Sequence, residues 1–421
     1  MRILVIGSGG REHTIIRKLK ESPKVDKIYA APGNGGISKD AECVNIGAMD
    51  KTGIVEFSKK NAVDLVFVAP DDPLAAGMVD TLLANGIRAF GPRAEAAVIE
   101  SSKVFSKNIM KKYNIPTADY EVFDDPAKAI AYIEEKNKYP VVIKADGLAL
   151  GKGVIIAQTQ KEAREAVKEI MEDKKFGDSG NNVVVEEFLT GPEVSVLAFT
   201  DGISLEPMVS SKDHKRAYDN DEGLNTGGMG TISPNPYYTP EIAEICRKTI
   251  FEPTVAAMNS ENRTFKGCLY FGLMITPDGP KVIEYNARFG DPEAQVVLPR
   301  LRTDLVDIIE AVIDEKLSQL KIEWSDEATA CVVMASGGYP LSYKKGMEIT
   351  GLDENGQLDG VEIFHAGTKL EDGKFYTNGG RVLGVTASGT TLDEALEKAY
   401  KAVGKIHFEG AHYRKDIGRT K

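Results

Sequence analysis

The chain has 421 residues, 42% of them hydrophobic and 27% charged, and 52 Lys and Arg against 63 Asp and Glu give a net charge of −11. At roughly 100 to 200 residues per domain, this length predicts about two to four domains and excludes a single small binding module. The negative charge repels polyanions, so we expect no nucleic-acid partner and at most local basic pockets for small phosphates.

The sequence gives no sign of a membrane protein or of a disulfide framework. Its longest apolar run, residues 65–69, is far shorter than the ~20 residues of a membrane span, so we expect no membrane association. The short apolar start before Gly7 is typical of a strand rather than of a signal peptide, which favours a cytoplasmic protein. The cysteines are scattered and without a C-x-x-C pair, and we expect buried free thiols at Cys43, Cys246, Cys268 and Cys331.

The first part of the chain alternates short apolar runs with helical patterns, which predicts a doubly wound parallel sheet. The predicted strands are 3–6, 27–31, 63–69 and 87–90. A long helix over 94–113 follows, and it ends before Pro116.

A glycine turn, Gly7-Ser8-Gly9-Gly10-Arg11-Glu12-His13, follows the first strand and opens a helix. Its free backbone N–H groups and the helix dipole predict an anion site. Glu12 replaces the third glycine of a G-x-G-x-x-G motif, and the second strand ends without an acidic residue, so we favour a monophosphate over NAD. An NAD-dependent oxidoreductase and a purely structural turn remain the alternatives.

Residues 117–189 predict a compact α+β unit around a second glycine-rich loop. We expect strands at 140–145, 154–158 and 183–188 and a helix at 161–173. The loop after Lys144 is not a Walker A motif, because a strand follows it and Gly153 stands where Ser or Thr belongs. A glycine flap between antiparallel strands can cover a triphosphate while Lys144 reaches its oxygens, and a flexible hairpin with solvated lysines is the alternative.

The strand that ends in Glu186-Glu187-Phe188 leads on to Glu193. Backbone groups at a strand edge can bind a purine, and a carboxylate such as Glu193 can accept both ribose hydroxyls. Exposed glutamates at strand ends are commoner, so a purely structural role stays open here as well.

Residues 210–236 are polar and glycine-rich with little regular pattern, which predicts a functional loop. A helix over 240–259 and a hairpin of strands 267–275 and 281–286 follow. Glu284 and Asn286 are two apart on a strand and therefore share one face, where a carboxylate and an amide oxygen suit Mg²⁺. Arg288 joins that face if the strand persists, and a cation with an arginine beside a nucleotide suits phosphoryl transfer. Salt bridging without a metal is the alternative.

The division into domains follows from these patterns. We expect an N-terminal α/β domain over 1–101, a central domain over 102–327 that contains the compact unit at about 117–189, and a β-rich C-terminal domain over 328–421 with one late helix.

Together these segments resemble the ATP-grasp ligases, and among them the enzymes that join glycine to 5-phosphoribosylamine. The resemblance runs the whole chain, and the segments that carry it are 7–13, 32–34, 144–154, 213–216, 225–230, 284–293, 364–368 and 379–383. It implies a three-domain α/β and α+β enzyme of de novo purine synthesis, with a central ATP-grasp domain whose subdomain at about 117–189 is a mobile lid. Such an enzyme activates the glycine carboxylate as glycyl phosphate. Another ATP-grasp ligase that joins a carboxylate to an amine is the alternative.

The resemblance also implies ATP as cosubstrate, Mg²⁺ or Mn²⁺ as cofactor, glycine and 5-phosphoribosylamine as substrates, and a monomeric enzyme. The implied metal ligands are Glu284 and Asn286, and the implied catalytic residues are Asp213, Lys215 and Arg288. The implied ATP-binding residues are Lys103, Lys144, Gly147, Gly151, Lys152, Gly153, Glu186, Glu187, Phe188 and Glu193. The implied substrate-binding residues are Gly9, Gly10, Arg11, Asn34, Asp72, Asn225, Thr226, Gly227 and Gly228.

Two departures from the family pattern matter. Many ATP-grasp enzymes carry another metal carboxylate on the strand before Glu284, but residues 267–275 contain no acid. The segment 68–74 has Ala69 and Asp71 where the family pattern expects Gly and Glu, which leaves the roles of Asp71 and Asp72 undivided.

Overall fold

The computed structural model describes residues 1–148 and 153–419. The first five strands and helices are β1 Arg2–Gly7, α1 Gly10–Lys20, β2 Lys27–Pro32, α2 Ile37–Asp40, β3 Glu42–Cys43, α3 Lys51–Lys60, β4 Leu65–Val68, α4 Asp71–Ala75, α5 Met78–Ala84 and β5 Ala89–Phe90. They form a parallel sheet in the order β3-β2-β1-β4-β5, as predicted, with β3 as an additional short edge strand. The order reverses beside β1, so the loops after β1 and β4 border the crevice where such sheets bind ligands.

The single helix predicted over 94–113 is wrong, because two helices occupy this segment, α6 Ala94–Ser101 and α7 Lys103–Lys112. Ser102 between them is extended, with φ −132° and ψ 112°, and its hydroxyl accepts a hydrogen bond from the Phe105 N–H at 3.0 Å. A serine in this position caps the second helix. Lys103 is therefore the first residue of a new helix instead of a mid-helix residue.

The predicted lid unit is a four-stranded antiparallel sheet with its own apolar core. Its elements are β6 Tyr120–Phe123, α8 Pro126–Lys136, β7 Val141–Ala145, β8 Val154–Ala157, α9 Gln160–Val167 with a π-helical turn Lys168–Glu172, a 3-10 turn Gly177–Gly180, and β9 Val183–Glu187. The strand order is β6-β9-β7-β8. The core cluster that includes Ile143, Val167 and Val185 draws only on this unit, which makes the lid a packing unit separate from its neighbours.

The next segment contains eight strands and two helices. They are β10 Glu193–Thr200, β11 Leu205–Pro207, β12 Lys212–Asp213, β13 Arg216–Tyr218, a 3-10 turn Asp219–Asp221, β14 Glu222–Asn225, β15 Gly230–Ser233, α10 Pro240–Cys246, a π-helical turn Arg247–Phe251, α11 Glu252–Ser260, β16 Gly267–Thr276 and β17 Gly279–Asn286. An antiparallel sheet in the order β11-β10-β16-β17 confirms the predicted hairpin.

The irregular loop predicted over 210–236 is wrong, because four short strands lie in it. β13 and β14 pair with each other, whereas β12 and β15 join strands from the end of the chain. Pairing with partners about a hundred residues away leaves no local pattern to detect.

The last segment is β-rich with one late helix, as predicted. Its elements are α12 Ala294–Val297, 3-10 turns Leu298–Arg300 and Leu317–Gln319, α13 Leu305–Ile313, β18 Ala328–Ala335, β19 Glu348–Ile349, β20 Glu362–His365, β21 Thr368–Glu371, β22 Lys374–Thr377, β23 Arg381–Gly389 and α14 Leu392–Val403. The main sheet runs β12-β15-β18-β23-β20, and β19-β22-β21 form a smaller one. Strands from the middle and the end of the chain thus share one sheet.

Two further predictions from the sequence concern membrane-spanning helices and the four cysteines. Among the described residues, no helix is both long enough and apolar enough to cross a membrane. All four cysteines are free thiols, and Cys246, Cys268 and Cys331 are buried as expected. The expectation is wrong for Cys43, which is exposed because it lies on the edge strand β3.

Candidate active site

Glu284 and Asn286 lie on one face of β17, near its end. In the antiparallel register with β16, Glu284 faces Gly272 and Asn286 faces Tyr270. A Cβ atom at Gly272 would lie 3.1 Å from Glu284 Cγ, so the glycine leaves room for the glutamate side chain. Among the described residues, no group of three or more His, Cys, Asp or Glu side chains could hold a metal ion. One carboxylate and one amide oxygen nevertheless fit Mg²⁺, which keeps few protein ligands and completes its octahedron with phosphate and water.

Cationic side chains from three parts of the chain surround Glu284. Lys215 Nζ lies 3.7 Å from Glu284 Oε1 and 3.5 Å from Glu193 Oε2. Burial alone would raise the pKa of Glu284, but Lys215, Lys144, Lys103 and Arg288 together lower it, so this carboxylate is ionised. Glu193, more than any other neighbour, raises the pKa of Lys215 well above its usual value. The site therefore holds an ionised carboxylate with four cationic side chains near it, which can also act on a polyphosphate ligand.

Lys144 and Glu186 form a buried ion pair beneath the lid. Lys144 Nζ lies 3.0 Å and 3.1 Å from the two carboxylate oxygens of Glu186, and it also donates to the Ile283 carbonyl at 3.1 Å. Lys107 Nζ lies 3.0 Å from Glu186 Oε2, and burial lowers the pKa of Lys107 to about 8. Glu186, which the resemblance placed with ATP, thus pairs with two lysines, while Glu187 and Phe188 beside it are exposed.

Lys103 is hydrogen-bonded to Gly147, near the start of the glycine flap. Lys103 Nζ donates to the Gly147 carbonyl at 2.6 Å, and burial lowers the pKa of this lysine. Gly147 has φ +149°, and a Cβ atom there would lie 2.0 Å from Ser179 Oγ, so only glycine fits. Gly153 accepts a hydrogen bond from the Ala145 N–H at 2.8 Å. Gly151 and Lys152 lie outside the described residues.

Arg288 is held beside Asn286 by acidic side chains. Its Nη2 atom lies 2.7 Å from Glu100 Oε1, 3.8 Å from Asp71 Oδ2 and 3.3 Å from Asn286 Oδ1. Its buried Nε atom has no hydrogen-bond partner among the described residues. Asp71 faces this arginine from the loop after β4, whereas Asp72, the expected substrate ligand, is exposed.

Asp213 and the loop over 225–230 meet a C-terminal arginine. Burial, and then Glu293, raise the pKa of Asp213 well above its usual value. Gly228 has φ +114°, and a Cβ atom there would lie 2.6 Å from Asp213 Oδ1. Arg381 donates to the Gly227 carbonyl at 2.6 Å and to the Asp291 carbonyl at 2.7 Å. Of the predicted loop residues, Thr226 donates to the Lys215 carbonyl at 2.9 Å and Asn225 is exposed at the end of β14.

The N-terminal glycine turn is already in contact with carboxylates, where the sequence predicted free N–H groups. The Gly9 N–H donates to Glu12 Oε2 at 2.6 Å, and the Arg11 N–H donates to Asp291 Oδ2 at 3.2 Å. A Cβ atom at Gly10 would lie 2.6 Å from Gln295 Nε2, so close packing also explains this glycine. An incoming phosphate would compete with Asp291 for the Arg11 amide.

Asn34 holds loops together through both ends of its amide. Its Nδ2 donates to the Ser8 carbonyl at 2.9 Å and to the His365 carbonyl at 2.8 Å, while Oδ1 accepts from two backbone amides. In this structure its side chain positions the segments around the glycine turn.

Sequence reasoning missed several residues that contact the predicted ones or shift their pKa values. They are Glu100, Lys107, Asp146, Glu293 and Arg381. Lys107 had a detectable signal, since it lies four residues after Lys103 and so shares a face of the same helix. Asp146, Glu293 and Arg381 lie in segments that carry the family resemblance.

A lid of antiparallel strands beside a second antiparallel sheet, with Lys144 from the lid and Lys215 from the connection after β12 near a carboxylate–amide pair, is the arrangement of an ATP-grasp enzyme. The family descriptions that match are the N domain of phosphoribosylglycinamide synthetase at residues 1–100, its ATP-grasp (A) domain at 101–294 and its C domain at 329–420. The chain therefore belongs to the phosphoribosylglycinamide synthetase family of ATP-dependent ligases.

Individual relatives agree with this assignment. A phosphoribosylamine–glycine ligase of Caldanaerobacter subterraneus is 49% identical and covers 99% of both chains. The trifunctional purine biosynthetic protein adenosine-3 of Gallus gallus is 50% identical over 99% of this chain and 42% of its own length. The crystal structure of phosphoribosylamine–glycine ligase from Thermotoga maritima superposes with a TM-score of 0.86 at 33% identity, covering 99% of this chain and 100% of that one. The NAD-dependent oxidoreductase is not favoured.

Proposed function

We propose that this enzyme joins glycine to 5-phosphoribosylamine, forming glycinamide ribonucleotide, ADP and phosphate in purine biosynthesis. The observation that carries the proposal is the contact of Lys144, from the lid, with the carbonyl of Ile283, the residue before Glu284. One nucleotide can therefore meet the lid lysine and the metal-binding pair together.

In the first step, a carboxylate oxygen of glycine attacks the γ-phosphorus of ATP, and ADP leaves. Glu284 and Asn286 would hold a divalent cation, Mg²⁺ or Mn²⁺, which when bound neutralises charge on the phosphate oxygens. Lys103, Lys144 and Arg288 act on the same charge as cationic donors. Asp213 and Lys215 orient glycine beside them.

In the second step, the amine of phosphoribosylamine attacks the carbonyl carbon of glycyl phosphate. The amine loses a proton and phosphate leaves from the tetrahedral intermediate, so the new C–N bond replaces the C–O bond to phosphate. Water would hydrolyse the acyl phosphate, and we expect the glycine flap over 145–153 to exclude it.

The residues proposed to bind phosphoribosylamine and those proposed to bind the nucleotide form two separate groups. Gly9, Gly10, Arg11 and Asp71 lie at the crevice of the parallel sheet, where the phosphoribosyl group binds. Asp71 takes the place that the sequence assigned to Asp72, because Asp71 faces Arg288. Glu186, Glu187, Phe188 and Glu193 border the nucleotide site.

An omission experiment tests the function. ADP release is measured with ATP, glycine and phosphoribosylamine together and with each omitted in turn, and we expect turnover only in the complete mixture. Equal turnover with another amino acid or another amine would overturn the assignment of substrates.

We also propose that the enzyme is a cytoplasmic monomer. Its four cysteines are free thiols, which suits a reducing compartment. Light scattering of the purified enzyme tests the monomer, and a stable dimer mass would contradict it.

A further inference from the structure

We propose that Lys107 is a positioning residue for ATP binding: it keeps Glu186 neutralised when Lys144 turns from Glu186 to the nucleotide phosphates. The inference rests on the proposed role of Lys144 at ATP. It concerns a lysine that does not itself reach the phosphates.

Lys107 is fixed in the protein interior. Only 2% of its side chain is exposed, and its ammonium donates to Thr117 Oγ1 at 2.7 Å while lying 3.0 Å from Glu186 Oε2. Thr117 Oγ1 in turn donates to the Val282 carbonyl at 2.7 Å. Lys107 therefore joins α7 to β9 and, through Thr117, to the strand that carries the metal-binding pair.

Glu186 is equally buried and is shared by two cations. Its side chain is 4% exposed. Lys144 Nζ lies 3.0 Å from Oε1 and 3.1 Å from Oε2, and Lys107 Nζ lies 3.0 Å from Oε2. Its Oε1 atom lies 3.0 Å from Lys144 Nζ but accepts no well-aligned hydrogen bond from the described residues. Lys144 donates a hydrogen bond to Oε2 at 3.1 Å, whereas Lys107 pairs with the same oxygen by charge and donates its hydrogen bond to Thr117.

A phosphate ligand changes this balance. When Lys144 turns to phosphate, it gives up contact with Glu186, and a buried carboxylate left without a cation is strongly unfavourable. Lys107 stays in place and supplies that cation. Two lysines to one glutamate also leave one net positive charge for the ligand, whereas without Lys107 the remaining pair is neutral and Lys144 is retained by Glu186.

The experiment measures the dissociation constants of MgATP and adenosine for Lys107→Met and for Lys111→Met, by calorimetry on the full-length protein. Lys111 is the matched control, because it lies one turn further along α7, is exposed, and also places its ammonium 5.5 Å from the Tyr120 ring centroid. We expect Lys107→Met to weaken ATP binding on the order of tenfold and adenosine binding by less than about twofold. Lys111→Met should leave both unchanged, and Lys107→Arg should restore most of the affinity for ATP.

The same substitution in a Glu186→Gln background separates positioning from a purely structural role. With no charge at position 186, Lys144 is no longer retained, so Lys107→Met should then change ATP affinity by less than about twofold. An equal loss in both backgrounds, or an equal loss for adenosine and ATP, would overturn the proposal. If Lys107→Met does not fold, Lys107→Gln takes its place in the cycle, because an amide can still donate to Thr117.

Neither amine nor amino-acid substrate enters these measurements. A negative result therefore contradicts the role of Lys107 and leaves the omission experiment to decide the substrates.

Discussion

Glu100 and Arg288 form a buried ion pair, with 2.7 Å between Oε1 and Nη2, although they lie 188 positions apart in the chain. Glu100 belongs to α6, and Arg288 follows β17. The second oxygen of Glu100 accepts the Ala287 N–H at 2.7 Å, so one carboxylate fixes both the backbone and the guanidinium just after β17. Lys103 begins α7 three residues later. Glu100 thereby connects β17, the strand of Glu284 and Asn286, to the helix that begins with Lys103.

Glu100→Gln should impair turnover more than nucleotide binding. The amide can still accept from Ala287, but Arg288 loses its charged partner and its fixed orientation, so we expect kcat to fall roughly tenfold to a hundredfold with little change in the KM for ATP. Steady-state kinetics with a thermal unfolding scan checks this. Glu95→Gln, on the same helix but exposed, is the control and should behave as the wild type. A rise in the KM for ATP with kcat unchanged would contradict the prediction.

Glu284→Gln should reduce kcat on the order of a hundredfold or more, because the ionised carboxylate of the metal-binding pair is lost. The affinity for Mn²⁺ in the presence of ADP should fall as well, which calorimetry or electron paramagnetic resonance can measure. Asp278→Asn, in the exposed turn of the same hairpin, is the matched control. Wild-type metal affinity in Glu284→Gln would remove this residue from the metal site.

The neighbouring acids Asp71 and Asp72 should differ. Asp71 lies 3.8 Å from Arg288, and burial opposed by Arg288 and Arg11 leaves its pKa lowered, so it is a charged member of the site. We expect Asp71→Asn to lower kcat/KM for phosphoribosylamine roughly tenfold, and the exposed Asp72→Asn to change it by less than about twofold. The two variants are compared at saturating ATP and glycine. The reverse ranking would restore Asp72 as the substrate ligand.

Buried histidines should make the fold sensitive to acid. Burial lowers the pKa of His365 to about 3 from its ordinary 6.5, and that of His214 to about 4. On acidification, the unfolded chain therefore binds protons at these histidines that the folded state does not bind. Stability is full above about pH 6.5 and falls as the pH approaches 3, by about 1.4 kcal/mol per pH unit for His365.

His365→Gln should show a shallower loss of unfolding free energy between about pH 7 and pH 5 than the wild type. Urea denaturation at several pH values measures the slope. His407→Gln is the control, because His407 is exposed. An unchanged slope in His365→Gln would mean that His365 takes up no fewer protons in the folded state than in the unfolded chain.

Local pattern predicted much of this protein, and the reason is that the relevant interactions are local. The parallel strands β1, β2, β4 and β5, the hairpin that presents Glu284 and Asn286, and the late helix α14 follow from periodicity and turn residues that act within a few positions. The apolar strands β7 and β8 on either side of the glycine-rich connection were predicted for the same reason, and residues 149–152 of that connection lie outside the described residues.

Local sequence pattern does not predict the features that depend on contacts between distant parts of the chain. Nothing near Ser102 distinguishes one helix from two, but the hydroxyl of Ser102 also donates to Asp146 at 3.0 Å, 44 positions away, and this contact accompanies the break. The strand β15 pairs with β18, about a hundred residues further along the chain, and β12 pairs with β15, so both strands depend on this distant partner. Cys43 is exposed for a related reason, since the edge position of β3 becomes visible only in the assembled sheet.

By itself, the sequence determined the family of the protein, because motifs that each leave a structural alternative open occur together in the order of one family of ligases. Only the tertiary structure decided how the charges are distributed. It paired Glu186 with both Lys107 and Lys144, placed Asp71 instead of Asp72 beside Arg288, and brought Arg381 to the loop of Gly227. Buried charges must be matched by whatever part of the chain packs against them, and that matching is invisible until the sheets have come together.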